Sequence, residues 1–222
     1  DRVLEAAEAL SNLVDTLLTR ALEELDTIMP AYTHLQPAQP TTLAHWMTAH
    51  ANAFLRDLER LDGLWARLNR SPLGAGAVSG TTLPIDRQML AELLGFDGVQ
   101  ENTMDAVSSR GEMEAEFLAA LSIASLHVSR LAEDLVLWSN PSIGFIRLPE
   151  EYCTGSSVMP QKRNPDAAEL LRARSLRTIM SLGYVLNALK NLPTGYMRDM
   201  QETKWALFTG VEAVVQSLRI LR

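Results

Sequence analysis

From Arg2 to about position 28, apolar residues return at steps of three and four: Val3, Ala6, Ala7, Leu10, Leu13, Val14, Leu17, Leu18, Ala21, Leu22 and Leu25. That period is the stripe of an amphipathic helix, and Pro30 stops it. Several further stretches sustain the pattern long enough for helices of more than about 25 residues, roughly 40 Å at 1.5 Å per residue. A rod of that length has to cover its apolar stripe from end to end, and an elongated bundle of long antiparallel helices does so. Strand-type alternation is scarce, so the chain is expected to be all-α.

The second helix is expected from a cap at Thr41 or Thr42 to about position 68. A loop carrying Tyr32-Thr33-His34-Leu35-Gln36 occupies 31–40 before it. Residues 71–84 are rich in glycine and punctuated by proline, which makes a loop. A shorter helix fits 85–94, closed by Gly95. A third long helix is expected over 105–138, with Gly111 weakening its first turns. After a loop at 140–165, a fourth helix takes 167–191. Leu192-Pro193-Thr194-Gly195 breaks it, and a last helix runs from about Met197. The third and fourth helices carry apolar residues on more than one face, among them Phe117, Leu118, Leu121, Ile123, Leu126, Val128 and Leu131. Helices apolar on several sides are buried on several sides, so the bundle is expected to continue into neighbouring subunits.

A chain of 222 residues can bury a substantial core in one or two domains. Its net charge of −7 argues against a nucleic-acid partner, which would need a basic face. Basic residues do gather locally at Lys162, Arg163, Arg172, Arg174 and Arg177; they suit an anionic small molecule or, equally, a solvated helix face. The one cysteine, Cys153, excludes an internal disulfide, offers no metal cluster, and fits a reducing cytosol. No run of 18 uninterrupted apolar residues and no charged-then-apolar leader is visible, so no membrane partner is expected. The start at Asp1, without an initiator methionine, points to a chain cut from something longer.

Chemistry concentrates in Thr154-Gly155-Ser156-Ser157-Val158-Met159-Pro160-Gln161-Lys162-Arg163-Asn164-Pro165-Asp166. This proline-bounded loop offers backbone N–H groups, hydroxyls, two cations and an amide. Such a set suits an anionic substrate whose negative charge grows during reaction. His34, between Thr33 and Gln36, can be oriented for proton transfer near neutral pH, although alone such a histidine is more often structural or exposed. His45 and His50 are five apart and make no helical ligand pair, and His127, in an apolar helix, reads as a satisfied core residue. Gly74, Gly76 and Gly80 lack the preceding strand of a dinucleotide fingerprint and serve tight turning better. Ser156 lacks a Gly-x-Ser-x-Gly context, and nothing marks Cys153 as activated.

Gly155-Ser156-Ser157-Val158-Met159-Pro160-Gln161-Lys162-Arg163-Asn164-Pro165-Asp166 resembles the signature of the fumarase/aspartase superfamily, and its Met-Pro-Gln-Lys-Arg-Asn-Pro-Asp form resembles argininosuccinate lyases. Tyr32-Thr33-His34-Leu35-Gln36, Ser71-Pro72-Leu73-Gly74, Pro84-Ile85-Asp86-Arg87, Ser129-Arg130-Leu131-Ala132-Glu133-Asp134 and the segment from Tyr196 to Lys204 are similar to segments of the same family. The resemblance implies a central domain of long helices that assembles as a homotetramer around a helical core, with composite active sites. It implies β-elimination of fumarate from a succinyl adduct, without metal or cofactor. Carried over by position, Ser156 is expected to abstract the proton, Lys162 and Asn164 to hold the carboxylate gaining charge, and His34 to protonate the leaving nitrogen. Glu169 is expected to orient and charge His34, and Thr33, Tyr196, Gln201 and Lys204 to bind substrate.

The chain departs from the family pattern twice. Ser109, Arg110, Gly111 and Glu112 stand where an acidic residue, Arg, Asp and Phe are usual, and Thr194-Gly195-Tyr196-Met197-Arg198-Asp199 stands where Ser-Thr-Tyr-Asn-Lys-Asp is usual. The expected function is argininosuccinate cleavage to L-arginine and fumarate in the cytoplasm. The chain (1–222) is expected to be the central helical domain, the family's amino- and carboxy-terminal domains lying outside it. Adenylosuccinate, or another N-succinyl substrate, and a catalytically idle crystallin-like relative are the alternatives.

Overall fold

The computed structural model describes residues 1–222. Five long helices build it: α1 (Arg2–Glu23), α2 (Leu43–Leu68), α5 (Glu112–Trp138), α6 (Asp166–Leu189) and α7 (Thr203–Leu221), with short helices α3 (Arg87–Leu93) and α4 (Thr103–Ser108) between α2 and α5. Helices α2, α3 and α4 are capped by side chains. Thr42 Oγ1 accepts from the His45 N–H, Asp86 from Met89, and Asn102 from Met104 and Asp105, each satisfying donors a helix start leaves orphaned.

Side-chain contacts fix the directions. Trp46 Nε1 donates to Asp134 at 2.8 Å, Asp57 meets His127, and Arg67 pairs with Glu116, so α2 and α5 run antiparallel along their length. Glu133 pairs with Arg172 while Gly111 lies against Leu189, which sets α5 and α6 antiparallel as well. The core lies mainly where α1, α2, α5 and α7 face one another, with Leu10, Leu13, Phe54, Leu64, Leu121, Val128, Val214 and Leu218 fully enclosed. Burying each such side chain is worth about 1.5–3 kcal/mol, which is what holds the rods side by side. By length and composition α5 could cross a bilayer, yet more than half of its apolar window is buried within the bundle: it is the central core helix.

The expected all-α bundle holds, with three local departures. The segment expected as a loop is a two-stranded antiparallel hairpin, β1 (Ile28–Thr33) and β2 (Gln36–Thr42), and α1 stops before it at Glu23. Pro30, Pro37 and Pro40 cannot continue a helix but fit a ribbon with two outer edges. The long helix expected from position 105 is broken into α4 and α5, because Gly111 takes φ 94° and lets Leu189 and Thr203 close in where a side chain would stand. The final helix begins at Thr203, after a 3₁₀ turn at Arg198–Gln201.

Two minor expectations hold. The 71–80 loop turns at Gly74, Gly76 and Gly80, all with positive φ, and Arg87 ties it down by donating to the carbonyls of Leu73, Gln100 and Glu101. His127 is satisfied in the core: its Nδ1 lies 2.7 Å from Asp57 Oδ2, while Arg60 donates to Oδ1 at 2.9 Å. Burial pushes the Asp57 carboxyl above its ordinary range, against the pull of the His127 hydrogen bond.

Candidate active site

The Ser156 loop joins the end of α5 to the start of α6 and is pinched at its neck. Thr154 and Asn164 exchange backbone hydrogen bonds at 3.1 and 2.9 Å, and the Thr154 hydroxyl donates to Asp166 in the first turn of α6. Inside the neck, Ser156 Oγ accepts two backbone N–H groups, from Met159 at 3.1 Å and Val158 at 3.3 Å. A hydroxyl oxygen so placed is stabilised when it carries negative charge. Arg163 is neutralised by Glu150 at 2.6 Å, whereas Lys162 has no carboxylate partner and keeps its charge available. Lys162, Asn164 and Glu169 share the wall of a cavity of about 690 Å³ with Cys153 and Arg147; Ser156 lies outside that wall. Arg147 is a cation that no motif had marked.

His34 stands exposed at the tip of the hairpin. It and Leu35 both have positive φ, 55° and 57°, the backbone of a type I′ turn normally made by Asn-Gly. Two side chains larger than glycine held in that region cost energy that neighbouring structure must supply. Near its tip the hairpin is held by aromatics: Tyr32 lies 6.2 Å from Phe145, which lies 5.9 Å from Trp138. Hairpin and Ser156 loop therefore occupy the same end of the bundle. No hydrogen bond joins His34 to Glu169, and no hairpin residue enters the cavity holding Lys162, Asn164 and Glu169.

Thr33 ends β1 beside His34, paired with Gln36, whereas Tyr196, Gln201 and Lys204 are at the opposite end. Tyr196 lies between α6 and α7, its hydroxyl accepting from Gln201 Nε2 at 2.8 Å, and Lys204 is exposed in the first turn of α7. Tyr196 borders a cavity of about 1020 Å³ between the 71–80 loop and the start of α5. The 27 residues of α5 separate the two ends, about 40 Å. One chain thus brings Lys162, Asn164 and Glu169 together, and separately Tyr196 with Gln201, but not both groups.

The family model described as "Lyase" matches residues 2–180. This chain belongs to the lyase family. Argininosuccinate lyase of Acetivibrio thermocellus is 48% identical over 220 residues, covering 99% of this chain and 48% of the relative. That of Geobacillus thermodenitrificans is 48% identical over 219 residues, with the same coverages. The crystal structure of EDDS lyase in complex with formate superposes with a TM-score of 0.88 at 31% identity, covering 99% of this chain and 45% of that one. Class II fumarase from Schistosoma mansoni, 17% identical with a TM-score of 0.83 over 98% of this chain and 51% of its own, shares the lyase chain's fold. The chain spans about half the length of the curated relatives it matches.

Proposed function

We propose that this chain is the central helical domain of a cytoplasmic argininosuccinate lyase, releasing L-arginine and fumarate by β-elimination. The observation that carries the reading is the pair of N–H groups on Ser156 Oγ, since serine is a poor base until its alkoxide is stabilised. As alkoxide, Ser156 takes the proton from the succinyl carbon beside a carboxylate. The electron pair moves into that carboxylate, whose growing charge meets the Lys162 ammonium and the Asn164 amide. It then returns to form the carbon–carbon double bond as the C–N bond breaks, and the departing nitrogen takes its proton from His34, oriented and charged by Glu169. Thr33, Tyr196, Gln201 and Lys204 hold the rest of the substrate. The step asks for no metal or cofactor.

A substrate of this size cannot bridge the length of α5, so the site is composite. One copy brings its hairpin, another its Ser156 loop, and a third its Tyr196 end, within a homotetramer. The uncovered apolar stripe Leu176, Met180, Tyr184 on α6, continued by Trp205 and Phe208 on α7, supports such an assembly, because patches of that kind mark interaction surfaces. The test is to give the full-length protein argininosuccinate and adenylosuccinate separately and follow fumarate absorbance. Fumarate from argininosuccinate alone is expected. Fumarate from adenylosuccinate alone would move the reading to that substrate, and none from either would leave a catalytically idle relative.

A further inference from the structure

We infer that Arg110 is a positioning residue that sets how the proposed site grips the amine end of its substrate, acting through Tyr196. The inference rests on the reading of Tyr196 and Gln201 as substrate-binding residues. The Arg110 guanidinium carbon lies 5.4 Å from the centroid of the Tyr196 ring, and no carboxylate lies within ion-pairing distance of it, so the guanidinium faces the ring rather than an anion. One residue earlier in the Tyr196 loop, the Gly195 N–H donates to Ser108 Oγ at 2.9 Å. The Ser108 hydroxyl is itself fixed by donating to the Met104 carbonyl at 2.7 Å. The Tyr196 hydroxyl accepts from Gln201. Ring face, preceding amide and hydroxyl are thus each held, two of them by the elbow between α4 and α5.

The elbow exists because Gly111 has no side chain. A Cβ there would stand 2.8 and 2.9 Å from the two Leu189 methyls and 3.1 Å from Thr203 Cγ2. Opposite it, Gly195 takes φ 105°, a conformation glycine tolerates and other residues rarely adopt. The stretches Ser109 to Glu112 and Thr194 to Asp199, where this chain departs from the family pattern, are therefore the two sides of one contact. Arg110 and Tyr196 themselves keep the family's residue types, and the departures lie beside them, at Ser109, Gly111 and Glu112 and at Thr194, Gly195, Met197 and Arg198.

The experiment uses the full-length enzyme with Arg110→Met, Arg110→Lys and Tyr196→Leu, alone and combined. Arg110→Met should raise KM for argininosuccinate about fivefold, the upper end for an exposed cation–ring contact, with kcat within about twofold. Arg110→Lys should restore most of the loss, and Arg110→Met should add almost nothing in the Tyr196→Leu background. An unchanged KM, or an equal effect in both backgrounds, overturns the proposal. Should wild type release no fumarate from argininosuccinate, the substrate reading fails, and the clamp is judged by the crystal structure of Arg110→Met. A displaced Tyr196 ring with its Gln201 bond broken supports the clamp; both unmoved overturns it.

Discussion

Alanine at Gly210 tests the helix arrangement on which every placement depends. Gly210 lies in α7 against both α5 and α6, and an added Cβ would stand 2.6 Å from Leu118 Cδ2, 2.9 Å from Ser181 Cβ and 3.1 Å from Ser181 Oγ. Leu118 is wholly buried, and Ser181 Cβ cannot retreat without moving α6. Nor can α7 slide away freely, because the Gly210 carbonyl accepts from buried Thr178 Oγ1 at 2.9 Å. Overpacking of this kind costs about 1–3 kcal/mol, against about 1 kcal/mol regained from the better helix propensity of alanine. With the contacts this rigid, the net loss should be about 1–2 kcal/mol. Gly63, in α2, has no heavy atom within 4 Å of its would-be Cβ, so Gly63→Ala should gain up to about 1 kcal/mol. Urea unfolding followed by helical circular dichroism on the full-length variants reads both. If Gly210→Ala proves as stable as Gly63→Ala, α5, α6 and α7 do not meet as described.

Asn164→Ala should lower kcat for fumarate release about a hundredfold, the usual cost of one donor to a developing oxyanion, and Ser156→Ala considerably more. An equal loss from His127→Ala with the fold intact would count against this site assignment. Asp57 supplies a pH signature. Its folded pKa is raised by burial, so its contribution to stability is complete in acid, below its unfolded value, and is lost as pH rises through the folded one. Asp57→Asn lacks that loss, so the variant's urea midpoint relative to wild type should rise from acid pH toward neutrality; a flat difference would refute the burial argument. The His34-Leu35 turn can be relieved by Leu35→Gly, expected to raise the thermal midpoint because glycine occupies positive φ without the cost of roughly 1–2 kcal/mol borne by other residues; a lower midpoint would show Leu35 to be anchoring the hairpin.

How much could be read from the chain depends on what each feature is made of. The stripe from Val3 through Leu17 announced α1 because one face of it alone is buried, and α2 was bounded correctly by its Thr42 cap. The hairpin stayed hidden because its strands neither alternate in burial nor follow a β-rich composition; three prolines made it read as loop. The break at Gly111 was only weakly visible because its cause, the approach of Leu189, comes from 78 positions further along the chain. The candidate site shows the same division. A motif could nominate Ser156, Lys162 and Asn164, but that Lys162 keeps its charge while Arg163 spends its on Glu150 is a matter of packing. Nothing local could set Arg147 on the cavity wall or Arg110 over Tyr196.

The composite site is tested most directly by mixing. Full-length His34→Asn and Ser156→Ala variants, each expected to be inactive, are dissociated together, reassembled and given argininosuccinate. If one pocket draws its histidine and its serine from different copies, some mixed assemblies hold a pocket with both intact, and fumarate release returns to a measurable fraction of wild type. A mixture as inactive as its parents, while wild type survives the same cycle, would contradict the account.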